Sequence, residues 1–147
     1  MADDLEIDVK SCGSITLKKR QPDKGGEPDE CYYLSPPPEI KTKVDIDLET
    51  DPAPNLVVEI DISSGSLAKD KLYVAYGIPE IWWYRDTTGT FEILQLTNEA
   101  YIPTSHSAAL PGVQITDVQQ VLKNYETVGE RHAITLCRKA IRERQSQ

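Results

Sequence analysis

Residues 56–84, "LVVEIDISSGSLAKDKLYVAYGIPEIWWY", constrain the fold more than any other stretch of the chain. The opening alternates. Leu56, Val58, Ile60 and Ile62 share one strand face, and Val57, Glu59 and Asp61 share the other. "SSGS" then turns the chain, with Ser64 or Ser66 placed to cap a helix. Residues 67–77, "LAKDKLYVAYG", read as that helix, closed by Gly77 with Pro79 just beyond. Residues 80–84, "EIWWY", form a second strand. A strand, helix and strand at this spacing make a crossover unit, which sets the two strands parallel.

The flanks add antiparallel pieces. Residues 5–10 and 15–19 alternate about the turn "SCGS" and predict a hairpin. "QPDKGGEPD" (21–29) is a loop, and "ECYYL" (30–34) a strand. Residues 35–55 read as irregular, with "TKVDIDL" as a short edge strand. "FEILQL" (91–96) and "AYIP" (100–103) predict a hairpin through "TNE". Thr116 is placed to cap a short helix, and a terminal helix is expected over roughly 124–144. The sum is an α/β (α+β) fold with a mixed sheet and helices.

Length and charge bound the function. A chain of 147 residues fits one core, divided here into a main domain, 1–126, and a helical extension, 127–147. No apolar run approaches a membrane span, and the acidic start "MADDLEIDVK" is unlike a signal peptide, so a cytoplasmic, non-membrane protein is expected. Cys12, Cys31 and Cys137 form no CxxC pair and suggest buried thiols rather than disulfides or a zinc ribbon. Residues 1–126 carry 11 Lys/Arg against 22 Asp/Glu, while residues 127–147 carry 5 against 2. So acidic a body argues against broad non-specific nucleic-acid binding, but not against a local site where metal ions offset the acids.

Glu59 and Asp61 are the candidates for such a site. Two strand residues separate them by roughly 6–7 Å on one face, a spacing at which carboxylates can share a divalent cation. Asp29 precedes the neighbouring strand 30–34 and would join them if that strand pairs with 56–62. On the helix, Leu67, Lys71, Val74, Ala75 and Ile78 form one stripe, so Lys71 is expected to point inward, where a buried ammonium needs an acidic partner. Two acids and a lysine at a strand end suit metal-assisted phosphodiester hydrolysis. The acids hold Mg²⁺ or Mn²⁺, which lowers the pKa of a bound water and stabilises the charged transition state. The lysine orients or deprotonates that water or contacts the phosphate.

Each piece also has a plainer account. A Glu-Ile-Asp triplet is commonly a solvent-facing strand face. Lysine often snorkels to water with its stem on the core, and Asp after Pro often starts a turn. Trp82 and Trp83 divide most simply between core and outer face. His106 and His132 have no ligand-spaced neighbours. In "RHAITLCRKAIRER", Ile134, Cys137 and Ile141 make a packed stripe with a solvated basic face; DNA contact by Arg138, Lys139, Arg142 and Arg144 is the minor alternative.

"GGEPDECYYL", "DPAPNLVVEIDISSGSLAKDKLYVAYGIPEIWWYRD" and "LTNEAYIPTSHSAALPGV", in that order, resemble the Uma-type family of restriction-endonuclease-like proteins, within the PD-(D/E)XK nuclease superfamily. The resemblance covers about residues 5–125. It implies a restriction-endonuclease-like fold, a mixed central sheet flanked by helices, and metal-dependent cleavage of DNA. By position, Pro28-Asp29 matches the family's "PD" and Glu59 its second acid. The superfamily's usual lysine, two residues on, is replaced by Asp61, and Lys71 matches a lysine displaced to the helix. Family members begin with a longer segment that includes a helix with a glutamate, so this chain reads as N-terminally shortened. The sheet face left bare would favour self-association into a homodimer.

The leading expectation is therefore an endonuclease with Mg²⁺ or Mn²⁺ held by Asp29, Glu59, Asp61 and the carbonyl of Ile60, with Lys71 assisting the water. The rival is a non-catalytic binding or oligomerisation module that keeps the fold. A third reading makes the acids and Lys71 a structural ion-pair cluster without metal.

Overall fold

A computed structural model describes residues 9–11, 30–44, 46–48, 50–61 and 69–146. The predicted crossover is its centre. Strand β3 (Leu56–Asp61) runs parallel to β4 (Glu80–Arg85), with Glu59 beside Trp83 and Asp61 beside Arg85, and helix α2 (Lys69–Tyr76) lies between them in the chain. Gly77, at φ 69°, ends α2: its N–H reaches Val74 O at 3.0 Å, and the Ile78 N–H reaches Tyr73 O at 3.2 Å. These two bonds satisfy carbonyls left open by the last helical turn, and a residue without Cβ takes the left-handed position at least cost.

The remaining strands extend this pair outward on both sides. β1 (Val9–Ser11) and β2 (Glu30–Leu34) join antiparallel on the β3 side. β5 (Thr90–Thr97) and β6 (Ala100–Thr104) join antiparallel beyond β4. Among the described residues the sheet thus has six strands and runs β1-β2-β3-β4-β5-β6, in chain order. Asn98 and Glu99 form the two-residue β5–β6 turn with φ of 49° and 64°, the positive pair that matches the twist of a hairpin. Residues 15–19, the predicted partner of 5–10, lie outside the described residues; Val9–Ser11 pair with β2.

Both faces of the sheet are covered. Beneath α2, Val57, Tyr73, Ile78, Ile81 and Trp83 pack with Cys31, a buried thiol as expected. On the other face Leu56, Trp82, Phe91, Ile93 and Val113 pack with Ile141. Trp82 and Trp83 are therefore both core residues, one on each side, and the expected outer-face tryptophan does not exist.

Other expectations need correction. Residues 42–48 contain no strand among the described residues. A single helical turn, α1 (Pro38–Lys41), precedes a bend in which the Asp51 carboxylate takes Lys43 Nζ at 2.7 Å and the Asp47 N–H at 2.8 Å. Here local side-chain bonds to the backbone outcompete a weak alternating pattern. The expected short helix and terminal helix are both present, as α3 (Ile115–Val128) and α4 (Glu130–Gln145), but the break between them falls at Gly129, inside the span expected for the terminal helix, with φ of 82° and ψ of 160° far from helical. Thr116 lies inside α3. Asp117 does the capping, accepting the Gln114 N–H at 2.8 Å from the third helical position. Arg144 reaches back from α4 to Asp117 with two hydrogen bonds, of 2.5 and 3.1 Å, and also donates to Gly112 O at 2.8 Å. Arg144 is thus committed to holding α4 on α3.

Candidate active site at the end of strand β3

Glu59 is the buried acid of the α2 face. It is 3% exposed and accepts a hydrogen bond from the hydroxyl of Tyr73, itself fully buried. Alternation along β3 puts it on the same face as Val57 and Asp61, as the sequence requires. A lone carboxylate among Val57, Ile81 and Trp83 would be costly without a donor, and Tyr73 is a residue the sequence reading did not single out.

Asp61 stands two residues further along, where its carboxylate lies 3.8 Å from the Arg85 guanidinium. Arg85 is also 3.8 Å from Glu92, and it covers the ring of Trp83 at 4.9 Å from the centroid. The described partner of Asp61 is therefore an arginine on the next strand; the expected pairing with Lys71 is not what the structure shows. The parallel register, Asp61 beside Arg85, makes this contact, and it cannot be read until the register is known. Ile60 points to the opposite face and is 54% exposed, an unusual position for isoleucine in a central strand.

Lys71 is exposed, contrary to the inward orientation expected from helical spacing. It lines an open cleft of about 360 Å³ with Val74, Glu99, Ala100 and Tyr101, on the β6 side of α2. The face α2 turns to the sheet carries Leu72, Tyr73 and Ile78 instead. Lys71 and Tyr73 are separated by roughly 200° around the helix axis, so Lys71 is on a different flank from the residue that touches Glu59.

Asp29 lies outside the described residues. Its chain neighbour Glu30 is paired with Val58, the neighbour of Glu59, and this is the last described pair between β2 and β3. Among the described residues, no three His, Cys, Asp or Glu side chains gather closely enough to hold a metal ion. Glu59, Asp61 and the Ile60 carbonyl supply hard oxygen donors on consecutive residues, the type that suits Mg²⁺ or Mn²⁺.

A second buried acid was missed altogether. Glu80 opens β4 at 1% exposure. It accepts Trp82 Nε1 and Ser107 Oγ, each at 2.6 Å, and the N–H groups of Ala108 and Ala109 at 2.8 and 3.1 Å. Four donors on two oxygens make Glu80 the anchor of the loop over 105–110. Only the alternation of Glu80 with Trp82 and Tyr84 signalled that it faces inward.

Fold and site meet in a family assignment. The model of the Uma2 family, described as "Putative restriction endonuclease", matches residues 2–128, and the chain belongs to that family. No curated protein matches the chain. Among the described residues no helix is long and apolar enough to cross a membrane.

Proposed function

We propose that the chain is a metal-dependent endonuclease that hydrolyses DNA phosphodiester bonds at the end of β3. The observation that carries this reading is Glu59: a carboxylate buried to 3% exposure at the exit of the parallel strand, hydrogen-bonded by Tyr73, in a chain of a restriction-endonuclease family. Such burial is hard to account for as a solvent-facing strand position.

Asp29, Glu59, Asp61 and the Ile60 carbonyl are the proposed holders of Mg²⁺ or Mn²⁺. The ion would supply charge stabilisation at the phosphate and a bound water of lowered pKa. Tyr73 fixes the Glu59 carboxylate in one orientation, so little reorganisation accompanies loading. Lys71, near the start of α2, is the proposed lysine that assists the attacking water. Lys71→Ala should lose turnover while still taking up Mn²⁺; unchanged turnover removes Lys71 from the reaction.

The Asp61–Arg85 contact favours one alternative, an ion-pair cluster in a non-catalytic module. Titration of Mn²⁺ by calorimetry into the wild type, Glu59→Gln and Asp29→Asn separates the two. The nuclease reading expects saturable binding that both substitutions abolish. A folded wild type that takes up no Mn²⁺ defeats it.

A further inference from the structure

We infer that Arg85 is the group that takes a backbone phosphate of the DNA at this site. The inference rests on the nuclease reading and adds to it a residue for the substrate.

Arg85 lies beside Asp61 in the parallel ladder, as Trp83 lies beside Glu59. One strand spacing of about 4.8 Å and two residues of rise, roughly 6.6 Å, separate its backbone from that of Glu59. A long, forked side chain covers that span. Its guanidinium is held over Trp83, whose ring is only 1% exposed and provides a rigid platform.

The donor inventory points to a ligand. A guanidinium carries five N–H donors in a fixed fork, suited to the oxygens of a phosphate. Arg85 makes ion contacts with Asp61 and Glu92, both at 3.8 Å, beyond hydrogen-bond length, and no hydrogen bond from its side chain is present among the described residues. The side chain is 32% exposed, so its donors reach solvent. Arg144 shows the contrast: its hydrogen bonds to Asp117 and Gly112 O, of 2.5 to 3.1 Å, leave it committed to the fold. Arg85 is oriented by stacking and by two loose ionic contacts, with its hydrogen-bonding capacity unspent.

Asp61 and Glu92 also set a condition. An anion arriving at Arg85 meets two carboxylates, so phosphate binding here is favourable only when a divalent cation offsets the acids. DNA and metal should then strengthen each other's binding, in equal measure.

The test measures binding of a short fluorescent DNA duplex in Ca²⁺, over a range of salt, to wild type, Arg85→Ala, Arg85→Lys and Glu59→Gln. Melting and Mn²⁺ calorimetry are run on the same samples. Arg85→Ala should bind DNA roughly tenfold more weakly and lower the salt slope by about 1, the signature of one lost phosphate contact. Arg85→Lys should restore the slope but not the full affinity, because a point charge replaces a fork. Melting and Mn²⁺ uptake should stay as in wild type. Unchanged affinity and slope in Arg85→Ala overturns the proposal, as does a wild type that binds no duplex, or a loss of DNA binding that merely follows lost Mn²⁺ binding. A wild type that binds duplex through Arg85 yet takes up no Mn²⁺ sinks both the nuclease reading and the metal condition stated here, and leaves only the Arg85–phosphate contact.

Discussion

Glu59 and Glu80 are both buried carboxylates on the two central, parallel strands, yet they face opposite sides of the sheet and have opposite surroundings. Glu80 is ringed by two side-chain and two backbone donors that belong to its own loop and strand. Glu59 stands at a strand exit with Tyr73 on it, an acid two residues away and an arginine on the neighbouring strand. Burial alone therefore does not mark a site. What separates an anchor from a candidate ligand is whether the surrounding groups close a loop of the fold or converge on open chemistry.

The largest expected effect falls on the anchor. Glu80→Ala leaves four donors without their acceptor and should cost about 3–5 kcal/mol in urea unfolding, since bonds to a charged group are each worth roughly 1.5–3 kcal/mol. A loss below about 1 kcal/mol would dissolve the contrast between the two acids.

The Asp117–Arg144 pair extends the anchor class to the helices. Asp117→Ala should cost about 2–3 kcal/mol, and a double-mutant cycle with Arg144→Ala should show coupling, because Asp117 serves both Arg144 and the Gln114 N–H.

Glu59→Gln sharpens the comparison from the other side. Without metal it should melt within about 0.5 kcal/mol of wild type or above it, since a ligand carboxylate relieved of its charge no longer repels Asp61. A loss as large as that of Glu80→Ala would instead make Glu59 a second anchor and favour the ion-pair reading.

The smallest effect is acid titration at Asp51. The Lys43 ammonium, and then the Asp47 N–H, hold its carboxyl below the ordinary value of 3.8. A depressed folded value gives stability that is complete above the unfolded pKa and lost as pH falls through the folded one. Asp51→Asn should therefore lower stability slightly at neutrality and flatten the acid limb of a stability–pH curve below about pH 4, where variant and wild type converge.

The crossover was legible in the sequence because three strong signals agreed: alternation, a Gly-terminated helix and an apolar second strand. The faces of Glu59 and Asp61 followed directly from strand period. A helical stripe taken from Leu67 turns Lys71 inward, whereas Leu72 and Tyr73, with Ile78 just beyond the helix, carry the packing of α2. One aromatic ring and two aliphatic side chains outweigh a stripe that includes a charge. The Asp61–Arg85 and Glu80–Ser107 contacts join residues far apart in the chain, so no local pattern announces them. The Gly129 break was missed because helical periodicity continues on both sides of it.

A sheet whose spatial order repeats its chain order has a consequence for how it assembles. Each new strand can dock on an edge already presented, and no strand has to slip between two that are paired. β4, β5 and β6 are linked by short turns, so their contacts close small loops quickly. The parallel joint needs residues 62–79 looped back before β3 and β4 can meet, and parallel pairing of this kind is expected to be slow. The candidate active site thus sits on the joint that asks most of the chain in assembly. Substitutions in its register should slow refolding, while those in the β5–β6 turn should act mainly on unfolding.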